Sequence, residues 1–367
     1  MKNSFCADTR RHNLARLGEL MAAVCLAANL AACGGGGGGS DGSDTTPAPS
    51  PPAPAPASST AGDLSSTIQS TTYTSGSREA VAYSALNAVR LASGFGTLAQ
   101  NVSLDEEAGN QAAYVAENYS MPSGFGGLDW NSAALVALQP DGSETGHVQL
   151  STLPGYVAYL PTERAVHFGY PAAGVVAEAA SFFTTATTAD NGTACVTGLL
   201  GSPGHREVIL DPRVRDVGFG FSTLSQPFDS TNATLFGQSC YIAPGAQSNT
   251  YSSTGEATAP NGWVAVYPAN GSTVPSTDDS HGHGYAPSVT VDSHLALTVS
   301  SFTIVDGNGN AVPTTLNADA LATGYANWAF ATPNAALSLN TTYSVSFQGS
   351  AGGAVISKTW TFATQAQ

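Results

Sequence analysis

The chain has 367 residues, with 11 Lys and Arg against 26 Asp and Glu, a formal charge of −15 at pH 7 with histidines neutral. Such a surface repels nucleic acid and anionic lipid headgroups, so neither is an expected partner. Charged residues make up 10% of the chain; with many Ser, Thr, Asn and Gly, this suits an exported protein, and the length suggests two domains.

Residues 1–20 carry Lys2, Arg10, Arg11 and Arg16, and a short apolar stretch runs from Met21 to Ala32. That stretch falls short of the ~20 apolar residues a spanning helix needs. A basic leader, a short apolar core and small residues describe a secretory signal over 1–32. Leu30-Ala31-Ala32-Cys33 resembles the bacterial lipobox, whose Cys becomes the lipidated first residue of the mature protein. The resemblance implies several acyl chains on Cys33, a durable anchor where one chain alone holds only marginally. It places the protein in the cell envelope, facing the periplasm or the exterior; a cut nearby without lipidation makes it a secreted protein instead. Residues 33–62 are then a lipid-anchored tether, in which a flexible Gly run is followed by a stiffer Pro-Ala spacer. Loss of 1–32 leaves 7 basic and 24 acidic residues, a balance of −17. Cys6 and Cys25 leave with the signal and Cys33 is used by the anchor. Cys195 and Cys240 remain, an even pair in an oxidising compartment, and a disulfide is expected between them.

Downstream, Arg78 to Ala92 places Val81, Leu86, Val89 and Leu91 at near-helical spacing and stops at Ser93-Gly94. Ser103-Leu104-Asp105-Glu106 has a capping-box pattern that opens a second helix through about Tyr119. Pro161-Thr162-Glu163 opens a third, ending near Gly169. Strand-like runs follow at Val217–Leu224 and Thr234–Ala243. Helices followed by short strands give an α+β domain over about 76–250. Residues 258–367 read differently, as short β-rich runs separated by Asn-Gly, Asp-Gly and Gly-Gly turns, the pattern of a β-sandwich. YPANGSTVP, FTIVDGNGNAV and NTTYSVSFQG resemble bacterial immunoglobulin-like modules, which mostly space, present or bind.

Two places carry candidate chemistry. In Ser202-Pro203-Gly204-His205-Arg206-Glu207, Ser202 suits an N-cap and Pro203 the first helical position, and the helix must stop before Asp211-Pro212. The positive helix end then disfavours a protonated His205, leaving it able to bind a metal or accept a proton; packing against the helix start explains the residue equally well. Glu178 lies within Gly174-Val175-Val176-Ala177-Glu178-Ala179-Ala180. A carboxylate in an apolar run either turns to solvent or needs an internal partner, for which a histidine is suited.

SPGHREVIL followed by DPRVRDVGFGF resembles the CAP superfamily of cysteine-rich secretory proteins, venom antigens, pathogenesis-related proteins and many bacterial secreted proteins. Leu86-Asn87-Ala88-Val89-Arg90, then His147, Arg164 with Gly169-Tyr170, Glu178 and the SPGH segment follow in that family's order over about residues 80–243. The resemblance implies an α-β-α sandwich with a central cleft lined by two His and two acids, some members binding a divalent metal through the histidines. Carried over, His147 and His205 match the histidines and Glu178 the first acid. The second acid, expected a few residues before SPGH, is absent; Asp190 is a poor substitute, and Leu199 stands where Trp is common.

Zinc needs about three protein ligands with one position left for water. His147, His205 and one carboxylate can supply that, with Glu178 otherwise orienting a histidine; without metal the same groups make a general acid–base pair. His281-Gly282-His283 after Asp278-Asp279 is a weaker metal candidate, and His167 is read as a half-buried neighbour of the core. No serine-nucleophile, H-E-x-x-H, P-loop or dinucleotide pattern is present. The expected function is binding of a small or peptide ligand in the His/Glu cleft, with zinc as the metal if one is used. The alternatives are a hydrolase using His147, Glu178 and His205, and a structural or adhesive protein whose sandwich contacts an envelope or surface polymer.

Overall fold

The local stops and starts follow from capping chemistry. In the computed structural model, which describes residues 3–6, 64–121, 129–130, 132–171, 175–185, 191–229, 232–247, 262–277, 283–316 and 326–366, helix α1 spans Arg78–Ser93. The Ser77 side chain accepts from the Ala80 N–H, and Gly94 ends the helix in the left-handed region at φ 87, a conformation cheap only for glycine. Helix α2, Val102–Tyr119, starts before the expected capping box: Asn101, not Ser103, is its N-cap and accepts from the Ser103 N–H. Asn is as good a cap as Ser, and Asp105 is drawn off by Tyr73, Gln100 and the Phe219 N–H.

Short strand β2 (Ala99–Gln100) precedes α2; helix α3 (Pro161–His167), strands β3 (Val175–Val176) and β4 (Ala179–Thr185), and helices α4 (Asn191–Gly201) and α5 (Pro203–Ile209) follow. The long hairpin β5 (Asp216–Asp229) and β6 (Asn232–Ala246) completes the first unit. With Asn3–Cys6 as β1, the sheet order is β1-β4-β6-β5-β2, β3 also pairing with β6. Only β2–β5 is parallel. One face of the sheet (Ala179, Phe183, Val217, Phe219, Cys240, Ile242) packs with Ala82, Leu86, Leu199 and Val208. The other (Ala180, Phe182, Tyr241, Ala243) packs with Leu104, Ala108, Val115 and Ala165. Helices therefore cover both faces, and the fold class is α+β. Strand β5 comes unusually near α2: a Cβ on Gly218 would lie 2.0 Å from the Leu104 carbonyl carbon, and one on Gly220 2.0 Å from that of Ala108. Cys195 on α4 and Cys240 on β6 form the expected disulfide, with Cα atoms 6.0 Å apart.

The second unit has two four-stranded sheets. One runs β8 (Ser272–Val274), β14 (Ala354–Thr364), β13 (Thr342–Ala351), β10 (Leu297–Val305); the other runs β11 (Thr314–Leu316), β12 (Trp328–Pro333), β9 (Ser288–Val291), β7 (Val264–Tyr267). Strand β13 alternates, with Tyr343, Val345 and Phe347 buried, whereas β9 and β12 are buried along their whole length. Uniform burial means cover on both faces. The second cover is the first unit, since Ser288, Thr290 and Trp328 share a crevice with Phe95, Arg206 and Leu210. One apolar cluster runs from Leu86 and Phe95 through Tyr267 and Tyr285 to Phe347.

The signal segment apart from β1, Cys33 and the spacer lie outside the described residues. No helix among the described residues is long and apolar enough to cross a membrane.

Candidate functional site

Four elements deliver one buried polar cluster. The buried stripe of α2, Leu104, Ala108, Gln111, Ala112 and Val115, also carries Glu107, fully buried. Helix α3 begins at Pro161, with the Glu163 carboxylate accepting from the Leu160 N–H at 3.1 Å, and presents Arg164 inward. His147 ends a single 3₁₀ turn, Thr145–His147. That turn is held at the Gly146 carbonyl, which accepts from Gln111 Nε2 at 2.8 Å and from the Tyr241 hydroxyl at 2.7 Å. Glu178 sits between β3 and β4, where the Ala177 N–H is tied to the Pro244 carbonyl.

Glu178 does not turn to solvent. Its Oε1 lies 2.6 Å from His147 Nδ1, and its Oε2 accepts from Arg164 Nη2 at 2.8 Å. Arg164 also contacts Glu107 Oε1, from Nε at 3.0 Å and Nη2 at 2.8 Å. Two carboxyls thus face one guanidinium. Burial, then repulsion from Glu178, pushes the Glu107 carboxyl well above its usual range, which favours its protonated form. Burial also raises Glu178, against the pull of Arg164. The resulting set, one cation and one anion, is the neutral state a buried site favours. An ionised Glu178 makes Nδ1 the donor of His147 and fixes the ring. The Tyr241 ring stands edge-on to His147 at 6.0 Å between centroids.

His205 reaches the cluster from α5, as its third residue after Pro203 and Gly204. Its ring is 1% exposed, and neither ring nitrogen has a hydrogen-bond partner among the described residues. Its pKa is pushed down to about 3, first by burial and then by His147. The two imidazoles therefore lie close enough to affect each other's protonation. The neutral ring expected from the helix terminus is present for a different reason: α5 is only seven residues long, and desolvation dominates. Ser202 occupies the N-cap position without a side-chain hydrogen bond.

Glu107 escaped the sequence reading, which looked for a second acid just before SPGH. The signal was available: an acid three residues after Leu104 and four before Gln111 falls on the buried stripe of α2, the argument already applied to Glu178. Among the other candidates, His167 is exposed and lies edge-on to Phe168 at 5.1 Å, a correction to its half-buried reading. It closes a short helix beyond the last inward turn. Asp190 and His281 lie outside the described residues.

A three-ligand zinc site does not fit these donors. Both carboxylates are turned onto Arg164, leaving two imidazoles, and no group of three His, Cys, Asp or Glu among the described residues is arranged around an ion. The cluster can orient a base, hold a neutral imidazole in a water-poor setting and offer it to a polar group. No known family model matches this chain, and no curated protein matches it either.

Proposed function

We propose that the chain is a cell-envelope lipoprotein, anchored through Cys33, with a CAP-like α-β-α domain and an immunoglobulin-like sandwich. On this reading the cluster of His147, Glu178 and His205 binds a small or peptide ligand. Support for the fold reading comes from the motif order ending in SPGH, from helices on both faces of the first sheet, and from the paired sheets of the second unit.

One observation carries the binding reading: both nitrogens of the buried His205 ring lack partners among the described residues. A buried polar group left unsatisfied costs about 1–3 kcal/mol, which a ligand bearing a hydroxyl, amide or carboxylate recovers on entry. The test is a thermal-shift screen of short peptides, small amides and small carboxylic acids on the wild-type chain and on His205→Leu. Compounds that stabilise wild type but not the variant are expected. A screen in which every stabilising compound acts equally on both proteins rejects the reading.

The 2.6 Å contact of His147 with Glu178 favours a second reading, hydrolysis with His147 as the oriented general base. A panel of ester and peptide substrates tests it, and turnover undiminished in Glu178→Ala counts against it.

A further inference from the structure

Helix α5 carries two consecutive residues with opposite destinations. His205 enters the polar cluster, while Arg206 leaves the first unit for the second. The Arg206 guanidinium is 1% exposed. Its Nε donates to the Leu200 carbonyl at 2.9 Å, at the end of α4, and its Nη1 donates to the Ala286 carbonyl of the sandwich at 2.5 Å. Its central carbon lies 4.7 Å from the Tyr267 ring centroid and 5.4 Å from that of Tyr285. Those two phenols are joined oxygen to oxygen at 2.6 Å, which fixes the aromatic cup as a unit. No carboxylate pairs with Arg206 among its hydrogen bonds and ring contacts, so two carbonyls and two π faces hold the charge.

We infer that the sandwich positions His205: Arg206, a positioning residue, anchors α5 between the α4 terminus and the Tyr267–Tyr285 cup and so sets where the neighbouring imidazole lies. The second unit thereby acts on the histidine cluster through Arg206. A helix of seven residues is too short to hold itself, and its own N-cap serine makes no side-chain bond. External fixation has to come from packing and from Arg206. This inference concerns the placement of His205 and rests on the binding reading only for its functional meaning.

The experiment uses the full chain labelled with ¹⁵N-histidine, with the His205 ring signals assigned by comparison with His205→Gln. In Arg206→Ala the His205 ring nitrogens are expected to shift, and amide exchange along α5 to rise about tenfold or more, as local opening becomes easier. Tyr285→Ala, altered wholly within the second unit, is expected to produce the same change. Arg206→Lys keeps the charge but not the fork and should restore the wild-type signals only in part. Trp263→Ala is the control: it removes a different link between the units, the 2.8 Å bond from Nε1 to the Gly94 carbonyl, and should leave His205 unmoved. Folded Arg206→Ala or Tyr285→Ala protein with wild-type His205 signals overturns the inference. So does a Trp263→Ala protein whose His205 moves as far. Should Arg206→Ala fail to fold, Tyr285→Ala decides. If the predicted shifts appear while no compound of the thermal-shift screen acts through His205, this coupling stands and the binding reading falls.

Discussion

Arg164 brings one positive charge to two buried acids, so one ionised carboxylate of the two is enough to keep the cluster neutral. Either acid can hold the anion when the other is replaced. Glu107→Gln is therefore expected to cost about 1 kcal/mol or less, and Glu178→Gln somewhat more because His147 loses its anchor. The double variant leaves Arg164 with no counter-charge and should cost about 3–5 kcal/mol. Denaturant unfolding of all four proteins closes the cycle; additive costs would refute the sharing of Arg164 by the two acids. The histidine makes a pH prediction. Its folded pKa, about 3, lies below the ordinary 6.5, so the unfolded chain binds the proton first. Its contribution is complete above pH 6.5 and declines as pH falls toward 3. The stability of wild type relative to His205→Leu should fall by up to about 1.4 kcal/mol per pH unit as pH drops across that window and stay flat above it. Asp105 has the opposite sign. Burial raises it from 3.8 to about 6 despite its bonds to Tyr73, Gln100 and the Phe219 N–H. Its contribution is complete below pH 3.8 and lost as pH rises through 6, so Asp105→Asn should gain on wild type over that range in pH-dependent unfolding.

Helix α2 and strand β5 meet backbone to backbone, and two glycines at this contact differ in what surrounds them. A methyl on Gly220 would lie 2.0 Å from the Ala108 carbonyl carbon, whereas one on Gly109 meets nothing within 4 Å. Gly220→Ala should destabilise by several kcal/mol, because backbone cannot yield as a side chain does. Gly109→Ala should stabilise by about 0.5–1 kcal/mol through lost unfolded-state freedom. Thermal melts of the two variants give the comparison. The same contact shows where the sequence was readable. Helix α1 was legible from its spacing and its Gly94 stop, and strands β5 and β6 from strand-like runs at Val217–Leu224 and Thr234–Ala243, though not their pairing as a hairpin. Helix α4 was not, since Asn191-Gly192-Thr193 and Gly198 hide a helix whose order comes from Cys195, Val196, Leu199 and Leu200 packing inward. Glu107 was legible in principle, because helical spacing places it beside Leu104. Its ion pair was not, because Arg164 is 57 residues away.

At the scale of the chain, one apolar core crosses from the first unit into the sandwich, so the two pack on each other. Pairing Cys195 with Cys240 was readable from cysteine use alone, whereas the covered faces of β9 and β12 were not, since buried strands and edge strands share the same short β-rich runs. For the anchoring reading, Cys33→Ser is expected to move the protein from the membrane fraction to the soluble fraction in fractionated cells; a protein that stays with the membrane would remove the lipid from the account. The disulfide also has a reach beyond its own two atoms. Successive residues of a strand point to opposite faces, so Cys240 is fastened to α4 while the next residue, Tyr241, grips the turn that ends at His147. Tightening one side of β6 therefore steadies the other. A reduced chain is therefore expected to hold its histidine turn on a looser strand than an oxidised one.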